Sequence, residues 1–504
     1  MSLTNLPNLS SLPSLKDAEK LSGCTVIPLR RELLSDIKTP IEVLRILKSA
    51  GRHCFILESV ENQERWGRYT FLGYDPKLEI SCLDGELTVK DVRSGKSETS
   101  HTSHPAEYIR TLLEKYKSPS PGQLPGLPSF SGGLVGYFGY DYIKYSEPRL
   151  KLDAKDDENF KDVDLMLFDK VIAFDSLRQK IILIVNIGTD DLAENYRKGE
   201  QILDEMTELI KHGKSAPEPR SRLTSEFRQL FDKEQYCRIV ERAKHYIREG
   251  DIFQVVPSNR LDADFEGSLL DVYRILRTSN PSPYMFYFSS DDMEVAGASP
   301  ETLVKLEDGI LHTFPIAGSR PRGVTPEEDA RLEAELRVDE KELAEHNMLV
   351  DLGRNDLGKI SEFGTVEVEE YMQILKFSHI MHICSTVRGK LRKGLTALDA
   401  VDAVLPAGTL SGAPKIRACE IINELENCKR GIYGGAVGYI DFRGNLDTCI
   451  GIRLCYKKNG RVFVRSGGGV VADSVPETEY IETVNKAKAV VKALEAVSNG
   501  EVEL

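Results

Sequence analysis

The pattern of apolar and polar positions predicts two β-hairpins in the first half of the chain, one from alternating segments and one from largely apolar segments. The paired segments are 78–82 with 87–90 around Asp84-Gly85, and 170–174 with 180–185 around Asp175-Ser176. A short turn between two alternating segments is the usual sequence signal of a hairpin. Because consecutive strands are joined by tight turns rather than by helices, the pattern favours antiparallel sheets. The predicted fold class is therefore α+β, not doubly wound α/β.

Composition along the chain predicts two folded regions and a connection between them. Residues 1–24 are rich in Ser, Leu, Pro and Asn and are expected to form a flexible tail. Residues 25–185 form a first region, and 186–223 contain a helix pattern followed by a polar, proline-containing linker. Residues 224–497 form a second region of mixed strands and helices.

The string Gly-Gly-x-Val-Gly-Tyr occurs twice, at residues 132–137 and 434–439. One copy lies in each predicted region. The repetition is consistent with an internal duplication whose strands share one core. Two glycine-rich strands of independent origin would give the same pattern, so both interpretations stay open.

Segment 339–356 combines apolar residues at helical spacing with a high density of carboxylates. Glu342 and Glu345 share a stripe with Leu349, because residues three and four apart are neighbours on a helix. A buried carboxylate needs a cation or good hydrogen-bond donors, and Mg²⁺ takes oxygen ligands of this kind. A solvated charged helix face is the alternative, and for this segment alone it is the commoner case.

A second pair of carboxylates lies in the last predicted helix, which Pro476 opens. Glu479 and Glu482 are again three residues apart and share a face. Glutamates in a first helical turn can also simply complement the helix dipole. A run of three glycines upstream, after a strand-like segment, lets the backbone approach a ligand closely, although a plain glycine turn has the same pattern.

The whole-chain composition argues against several classes of function. The 504 residues are 41% hydrophobic and 29% charged, as in a soluble globular protein. The net charge of −13 argues against nucleic acid as a partner, because phosphate binding requires a basic surface. No apolar run is long enough for a membrane span, and the N-terminus lacks a signal-peptide pattern. The nine cysteines include no Cys-x-x-Cys pair, so a cytoplasmic protein with reduced thiols is predicted.

Several strings of the second region occur together in the order found in a known family. They are 253–256, 298–301, 315–323, 341–346, 348–352, 354–356 and 406–415, with thinner matches at 57–59 and 67–73. On these strings the chain resembles the chorismate-utilising enzymes, and most closely the anthranilate synthase component I family. The resemblance implies a two-part α+β fold with large antiparallel sheets.

The same resemblance implies a Mg²⁺-dependent conversion of chorismate and ammonia to anthranilate and pyruvate. This reaction is the first committed step of tryptophan biosynthesis. The Mg²⁺ would be bound by Glu345 and Glu482, and Glu342 and Glu479 would hold metal-bound water.

Catalytic roles are also implied by the resemblance. Glu301, in Ser-Pro-Glu-Thr, would protonate the departing hydroxyl. His382 would assist the loss of pyruvate, with His379 as a lesser candidate, and Thr409 would position His382 or the ring. Outside this family, a histidine in such a segment is more often a hydrogen-bonded core residue.

Two positions discriminate within the family. Gln254 lies where water-adding relatives carry a lysine that activates water, so ammonia is the favoured nucleophile. Ala317 lies where aminodeoxychorismate synthases carry a nucleophilic lysine, and alanine offers no nucleophile. Two alternatives stay open: an aminodeoxychorismate synthase component I, and a tryptophan-binding regulator that has lost catalysis.

The resemblance further implies binding sites for substrate and effector. The groups expected to hold chorismate are Gly318, Ser319, Tyr433, Arg453, Gly467, Gly468 and Gly469. Arginine suits this role because its planar fork matches a carboxylate. The residues expected around inhibitory tryptophan are Ser59, Pro283, Tyr284 and Met285. No glutaminase signature is found, so the use of glutamine implies a separate glutamine amidotransferase subunit, anthranilate synthase component II.

Overall fold

Two large antiparallel sheets stacked face to face organise the chain in this computed structural model. The structure describes residues 12–51, 53–59, 67–376 and 380–501. The helices are α1 (Leu15–Ala18), α2 (Pro40–Ala50), α3 (Pro105–Leu113), α4 (Ile143–Ser146), α5 (Leu192–His212), α6 (Lys233–Arg248), α7 (Leu270–Ser279), α8 (Pro326–Arg337), α9 (Glu340–Gly358), α10 (Ala397–Val404), α11 (Lys415–Glu426) and α12 (Pro476–Asn499).

The strands are β1 (Val26–Leu34), β2 (Cys54–Glu58), β3 (Tyr69–Tyr74), β4 (Leu78–Leu83), β5 (Glu86–Asp91), β6 (Ser97–His101), β7 (Gly133–Phe138), β8 (Val163–Phe168), β9 (Lys170–Asp175), β10 (Lys180–Gly188), β11 (Arg222–Leu223), β12 (Arg228–Gln229), β13 (Gln254–Val255), β14 (Ser258–Glu266), β15 (Tyr284–Ser289), β16 (Met293–Ser299), β17 (Thr302–Glu307), β18 (Ile310–Thr313), β19 (Ile316–Pro321), β20 (Glu367–Lys376), β21 (Ile380–Lys390), β22 (Gly412–Ala413), β23 (Ala436–Asp441), β24 (Leu446–Ile450), β25 (Leu454–Lys458) and β26 (Arg461–Gly467).

Each large sheet has twelve strands. Sheet 1 has the order β1-β10-β9-β3-β2-β15-β16-β25-β26-β14-β11, with β12 also on β14, and sheet 2 has the order β19-β21-β18-β17-β24-β23-β7-β8-β4-β5-β6, with β20 also on β21. Every pairing between these strands is antiparallel, so the α+β prediction is confirmed. Strands β13 and β22 form a separate short pair.

An aromatic core fills the space between the two sheets. The ring of Phe55 on sheet 1 lies 4.7 Å from the ring of Phe168 on sheet 2, edge to face. Phe286 and Phe463 of sheet 1 belong to the same buried cluster, with Tyr439 of sheet 2. The outer face of sheet 1 packs on α2, α5, α7 and α12, and that of sheet 2 on α3, α9 and α10. The fold is therefore a sandwich of two sheets with helices on both outer faces.

Both predicted hairpins are present. Leu83 pairs with Glu86 across the turn at Asp84-Gly85, and Asp175 pairs with Lys180 in the second hairpin. The helix predicted within 186–223 is α5. Both sheets combine strands from the two predicted regions, 25–185 and 224–497. The predicted domain boundaries therefore stay a prediction.

The two copies of the repeated glycine string lie side by side in sheet 2. In the pairing of β7 with β23, Gly136 is opposite Gly438. A Cβ atom at Gly136 would lie 2.0 Å from the carbonyl oxygen of Asp164, and one at Gly438 would lie 2.0 Å from that of Asp447. Neighbouring strands therefore leave no room for a side chain at either position.

Local signals explain where the two acidic helices begin. Asp339 caps α9, and its side chain accepts a hydrogen bond from the amide of Glu342 at 3.2 Å. Pro476 occupies the first position of α12, where its missing N–H costs nothing. None of the described helices is both long and apolar enough to cross a membrane. Within the predicted tail, residues 15–18 form α1, and residues 1–11 lie outside the described part of the chain.

Candidate active site

A cavity of about 550 Å³ opens between α9, α12 and the ends of several strands. The predicted site residues that line it are Gln254, Glu301, Glu345, Thr409, Tyr433, Arg453, Gly467, Gly469, Glu479 and Glu482. Because these residues come from distant parts of the sequence, only the fold brings them together. Gly318, Ser319, Glu342, His382 and Gly468 are not among the lining residues, and His379 lies outside the described residues.

Glu301 lies in the two-residue connection between β16 and β17. Its backbone carbonyl accepts a hydrogen bond of 2.9 Å from the amide of Ile450, which fixes the connection on sheet 2. The Thr409 hydroxyl donates to Oε1 of Glu301 at 3.1 Å. Burial disfavours the charged carboxylate and raises the pKa of Glu301 to about 7. The hydrogen bond from Thr409 and the positive charge of Lys486 oppose this rise. At neutral pH this carboxyl is therefore a competent proton donor.

His382 lies on β21, and its Nδ1 atom is 3.0 Å from the carbonyl oxygen of Gly318 on β19. A carbonyl only accepts hydrogen bonds, so Nδ1 carries the proton and Nε2 of the neutral ring is the basic nitrogen. Burial lowers the pKa of His382, although the Gly318 bond opposes this, and the charge of Arg453 lowers it further. Gly318 has φ +67° at an irregularity in the β19–β21 pairing next to Ser319, a conformation that favours glycine.

Three carboxylates line the part of the cavity between α9 and α12. Glu345 is exposed and lines the cavity. Partial burial of its carboxylate and the negative charges of Glu342 and Glu482 raise its pKa. Burial also raises the pKa of Glu479, and the charge of Glu482 adds to the rise. Oε2 of Glu479 is buried and has no hydrogen-bond partner. An orphaned oxygen beside further carboxylates fits a hard cation, which prefers oxygen ligands.

Two lysines and a glycine complete this acidic cluster. Lys486 lies 2.6 Å from Oε1 of Glu482, and Lys341 also lines the cavity. A Cβ atom at Gly468 would lie 3.1 Å from Oε2 of Glu479 and 3.7 Å from Oε1 of Glu482. The absence of a side chain at Gly468 therefore leaves room beside both carboxylates.

Among the described residues, two groups of three possible ligand atoms lie within 4.8 Å of one another, and both are elsewhere. They are His53–Glu79–Asp291 and Glu79–Asp164–Asp292. Lys161 lies 3.2 Å from Glu79, 3.3 Å from Asp164 and 2.9 Å from Asp292. The ammonium already compensates these carboxylates, so this second cluster is an ion-pair network.

Arg453 and Tyr433 provide further polar groups in the wall of the cavity. Arg453 has φ +53°, an uncommon backbone conformation for a residue other than glycine. Its Nη1 donates to the carbonyl oxygen of Lys486 at 2.6 Å, and burial lowers its pKa. Burial raises the pKa of Tyr433 to about 12, so the phenol stays protonated. A Cβ atom at Gly467 would lie 3.1 Å from the Tyr433 hydroxyl.

Gln254 lies in β13, which pairs with β22, and its side chain is buried against the glycine run. A Cβ atom at Gly469 would lie 2.5 Å from Nε2 of Gln254. A side chain at 469 would therefore displace the amide of Gln254 from its present position. Gln254 is 8% exposed and faces the cavity with a neutral group.

Glu342, Gly318 and Ser319 lie outside the main lining, on the β19 side of α9. A Cβ atom at Gly318 would lie 3.2 Å from Oε2 of Glu342. Oε1 of Glu342 is 3.8 Å from Nη1 of Arg320. Glu342 thus faces strand β19 and an arginine, whereas Glu479 lies beside Glu482.

A second cavity, of about 270 Å³, lies between the two sheets near β2, β15 and β24. It brings together all four residues predicted for the effector: Ser59, Pro283, Tyr284 and Met285. The Tyr284 hydroxyl donates to Oδ1 of Asp447 at 2.8 Å, and Glu58 pairs with Arg277 at 2.6 Å. Glu58 and Asp447 thus place carboxyl groups in the wall of this cavity, beside the apolar Pro283 and Met285.

Lys341, Arg465 and Lys486 also line the main cavity, and no motif of the sequence predicts a role for them. Lys486 follows Glu482 by four residues, a spacing that predicts an ion pair on one helix. That signal was available in the sequence. Arg465 is 3% exposed within β26, and nothing in its local pattern distinguishes it from other strand residues.

Comparisons with known proteins agree with this architecture. A family model described as chorismate binding enzyme matches residues 52–492. Anthranilate synthase component 1 of Acinetobacter calcoaceticus is 46% identical over 488 residues, which cover 95% of this chain and 97% of that protein. The protein of the same name from Aquifex aeolicus is 44% identical over 500 residues, with 97% and 99% covered.

Solved structures show the same fold. The crystal structure of anthranilate synthase component I from Streptococcus pneumoniae has a TM-score of 0.72 at 36% identity, over 91% of this chain and 98% of that chain. The menaquinone-specific isochorismate synthase from Escherichia coli has a TM-score of 0.68 at 18% identity and shares the fold. The sandwich is thus the fold of the chorismate binding enzymes. The chain belongs to the chorismate binding enzyme family, in the group of the anthranilate synthase component 1 proteins.

Proposed function

We propose that this chain is the large subunit of an anthranilate synthase. It converts chorismate and ammonia to anthranilate and pyruvate, the first committed step of tryptophan biosynthesis. The observation that carries the proposal is the contact of Thr409 with Glu301, a carboxyl of pKa about 7 in the wall of the main cavity. Glu301 donates its proton to the C4 hydroxyl of chorismate as that group departs.

The presence of Arg453 in the same cavity is consistent with a substrate that carries two carboxylates. Its guanidinium binds one carboxylate of chorismate, because the planar fork offers two parallel donors. The protonated phenol of Tyr433 donates a further hydrogen bond nearby. The glycine run 467–469 completes this wall, because the absence of side chains there leaves room for the substrate to approach the backbone.

The nature of the residues at 254 and 317 supports ammonia as the nucleophile. Gln254 is a neutral amide and cannot act as a base toward water. Ala317, on β19, offers no amine to attack the ring. Ammonia therefore adds at C2 of the ring, and the product of this step still carries its enolpyruvyl group.

His382 assists the second step, the loss of pyruvate. With Nδ1–H held by Gly318, the basic Nε2 accepts the ring proton as the enolpyruvyl group leaves. Its lowered pKa keeps the ring neutral and able to accept a proton at pH 7. The aromatic ring forms in this step.

The acidic cluster supports a divalent cation, and Mg²⁺ fits its oxygen donors. Glu345 and Glu482 would hold the ion, and Glu479 and Glu342 would bind its water shell. When bound, Mg²⁺ supplies positive charge that offsets the clustered carboxylates and attracts the anionic substrate.

The use of glutamine requires a partner, a glutamine amidotransferase that releases ammonia. The name component 1 of the relatives supports such a two-component enzyme. Tryptophan is proposed as the feedback inhibitor that occupies the second cavity. Its indole would contact Pro283 and Met285, and its amino-acid group would lie near Ser59 and Asp447.

The direct test is an assay of the purified chain with chorismate, Mg²⁺ and an ammonium salt, in which the fluorescence of anthranilate is followed. Product is expected with ammonium and not without it. A parallel assay for aminodeoxychorismate or isochorismate distinguishes the other reactions of this family. Formation of either compound in place of anthranilate would contradict the proposal.

A further inference from the structure

Lys415 closes the base of the loop that carries Thr409. Residues 405–414 connect α10 to α11, and Lys415 is the first residue of α11. Its ammonium donates to the carbonyl oxygen of Val404, the last residue of α10, at 2.8 Å. This hydrogen bond joins the two ends of the loop and so limits its freedom.

The same ammonium ties the loop to α9. Nζ of Lys415 lies 2.9 Å from Oδ2 of Asp356, and the two side chains are 10% and 9% exposed. Lys359 approaches the other oxygen of Asp356 at 3.1 Å from a half-exposed position. Removal of one partner from a buried ion pair leaves an uncompensated charge, which is strongly unfavourable. The Asp356–Lys415 contact therefore fixes the loop on the helix that carries Glu345.

A small cavity of about 50 Å³ links this ion pair to the proton donor. Its wall includes Asp356, Glu301 and Thr409. The loop also packs directly on α9, since a Cβ atom at Gly408 would lie 1.6 Å from Cδ2 of Leu352. A shift of the loop away from α9 would move the Thr409 hydroxyl away from the Glu301 carboxyl.

We propose that Asp356 and Lys415 are positioning residues, whose ion pair holds loop 405–414 against α9 and thereby keeps the Thr409 hydroxyl on Glu301. The catalytic consequence rests on the proposed function, in which Glu301 is the acid. The charged groups lining the two cavities beside Glu301 are Lys341, Glu345 and Asp356 from α9, Arg453 from the connection between β24 and β25, Arg465 from β26, and Glu479, Glu482 and Lys486 from α12. Of these, Lys486 acts on Glu301 independently of the loop.

The kinetic test compares Lys415→Met and Asp356→Asn with Asp351→Asn. Asp351 is a matched control, because it lies on the same helix and pairs with Arg354 at 2.8 Å in an exposed position. The two loop variants should lose about tenfold or more in kcat, since the Thr409 hydroxyl no longer stabilises the negative charge that develops on Glu301 as it donates its proton. KM for chorismate should change by about twofold at most, because substrate binding is retained. The control should keep wild-type kcat, and loop variants that retain kcat would overturn the proposal.

A second comparison shows whether the effect passes through Thr409. Residues that act as one unit give non-additive effects. In a Thr409→Val background, Lys415→Met should therefore lower kcat little further. An equal loss in both backgrounds would show that Lys415 acts by another route, and the proposal would be wrong. Melting temperatures of all variants identify any that fail to fold.

A titration of the Glu301 carboxyl needs no turnover. Infrared difference spectra, with Glu301→Gln as the blank, give its pKa in each variant. Asp356→Asn removes a negative charge, which by itself would lower the pKa of Glu301. Loss of the Thr409 bond raises it, so an upward shift is expected. A downward or absent shift would overturn the positioning role, whereas a wild-type chain that makes no anthranilate would overturn the proposed function alone.

Discussion

The ammonium of Lys486 lies 2.6 Å from Oε1 of Glu482, one turn earlier on α12, and 3.1 Å from the carbonyl oxygen of Gly467. A lysine thus already neutralises one of the two carboxylates expected to hold Mg²⁺. The metal and the ammonium would share the charge of the same cluster. Loss of the negative charge of Glu482 should therefore weaken the binding of Mg²⁺.

Glu482→Gln removes one ionised oxygen ligand and keeps the shape of the side chain. Activity with ammonium should fall by about 10² or more, since metal affinity and activity depend on ligand charge. The rise in melting temperature on adding Mg²⁺ should shrink as well. Glu477→Gln, at an exposed position of the same helix, is the control and should retain both. Wild-type turnover that persists in excess EDTA would contradict a metal requirement.

The pKa of Glu301 predicts how activity depends on pH. The protonated acid is the active form, so kcat should fall as pH rises through about 7. At lower pH, protonation of His382 would remove the base of the second step, so only the fall on the alkaline side reports Glu301. Thr409→Val removes a donor to the ionised carboxylate, so the pKa should rise and the fall should move to higher pH. Glu301→Gln should lower kcat by about 10²–10⁴, the usual value of general acid catalysis. If Thr409→Val leaves the pH at which kcat falls unchanged, the titrating group is not Glu301.

The same pKa has a consequence for stability. The folded-state pKa of about 7 exceeds the ordinary value of 4.5, so between these values the folded protein retains a proton that the unfolded chain releases. The contribution of this group to stability therefore decreases as pH rises from 4.5 through 7. The Glu301→Gln protein lacks this titration. The melting temperature of the variant minus that of wild type should therefore be higher at pH 8 than at pH 5.

The role of His382 predicts separation of the two chemical steps. His382→Met removes the base and should leave ammonia addition and loss of water intact. An aminated intermediate that keeps its enolpyruvyl group should then accumulate, which mass spectrometry of quenched reactions detects. His312→Met is the control, because this half-buried histidine lies on β18 away from the cavity. Equal loss of both steps would instead indicate a structural role for His382.

The choice of nitrogen donor tests the partner. The chain alone should use ammonium and should give no anthranilate from glutamine, since glutamine hydrolysis requires the second subunit. Addition of a glutamine amidotransferase component should confer glutamine-dependent turnover. If the pure chain used glutamine as well as ammonium, the two-subunit proposal would be wrong.

Ser59 tests the regulatory cavity. Ser59→Phe should fill much of the 270 Å³ space, abolish inhibition by tryptophan and leave uninhibited turnover nearly normal. Because binding is linked in both directions, chorismate should weaken tryptophan binding to wild type by the factor with which tryptophan weakens chorismate binding. Ser94→Phe, at an exposed turn, is the control. A Ser59→Phe enzyme that stayed fully sensitive to tryptophan would move the effector site elsewhere.

Short-range features of the fold could be predicted because their signals are local. The hairpin at Asp84-Gly85 follows from two alternating segments around a turn that glycine permits. The start of α12 follows from Pro476 and the helix α5 from its apolar period. The pairing of distant strands has no local signal of this kind. The two similar glycine strings suggested an internal duplication, but they did not predict that Gly136 lies opposite Gly438.

The candidate site divides in the same way. Motif resemblance named Glu301, Glu345, Glu482 and Gln254, but spacing along the chain does not say which side chains meet. The ion pair of Lys486 with Glu482 was predictable from an interval of four on a helix. The contact of Thr409 with Glu301 was not, because it joins two loops 108 residues apart.

The sequence by itself determined the family, the antiparallel class of the fold and the chemical types of the site residues. These follow from periodicity, turn chemistry and motifs, which are properties of short segments. The tertiary structure alone decided the register of the central strands, the cavity and the pKa of Glu301. Burial and electrostatic interaction depend on which distant groups the packed core brings near, and in an unfolded chain the same carboxyl would titrate as an ordinary glutamate.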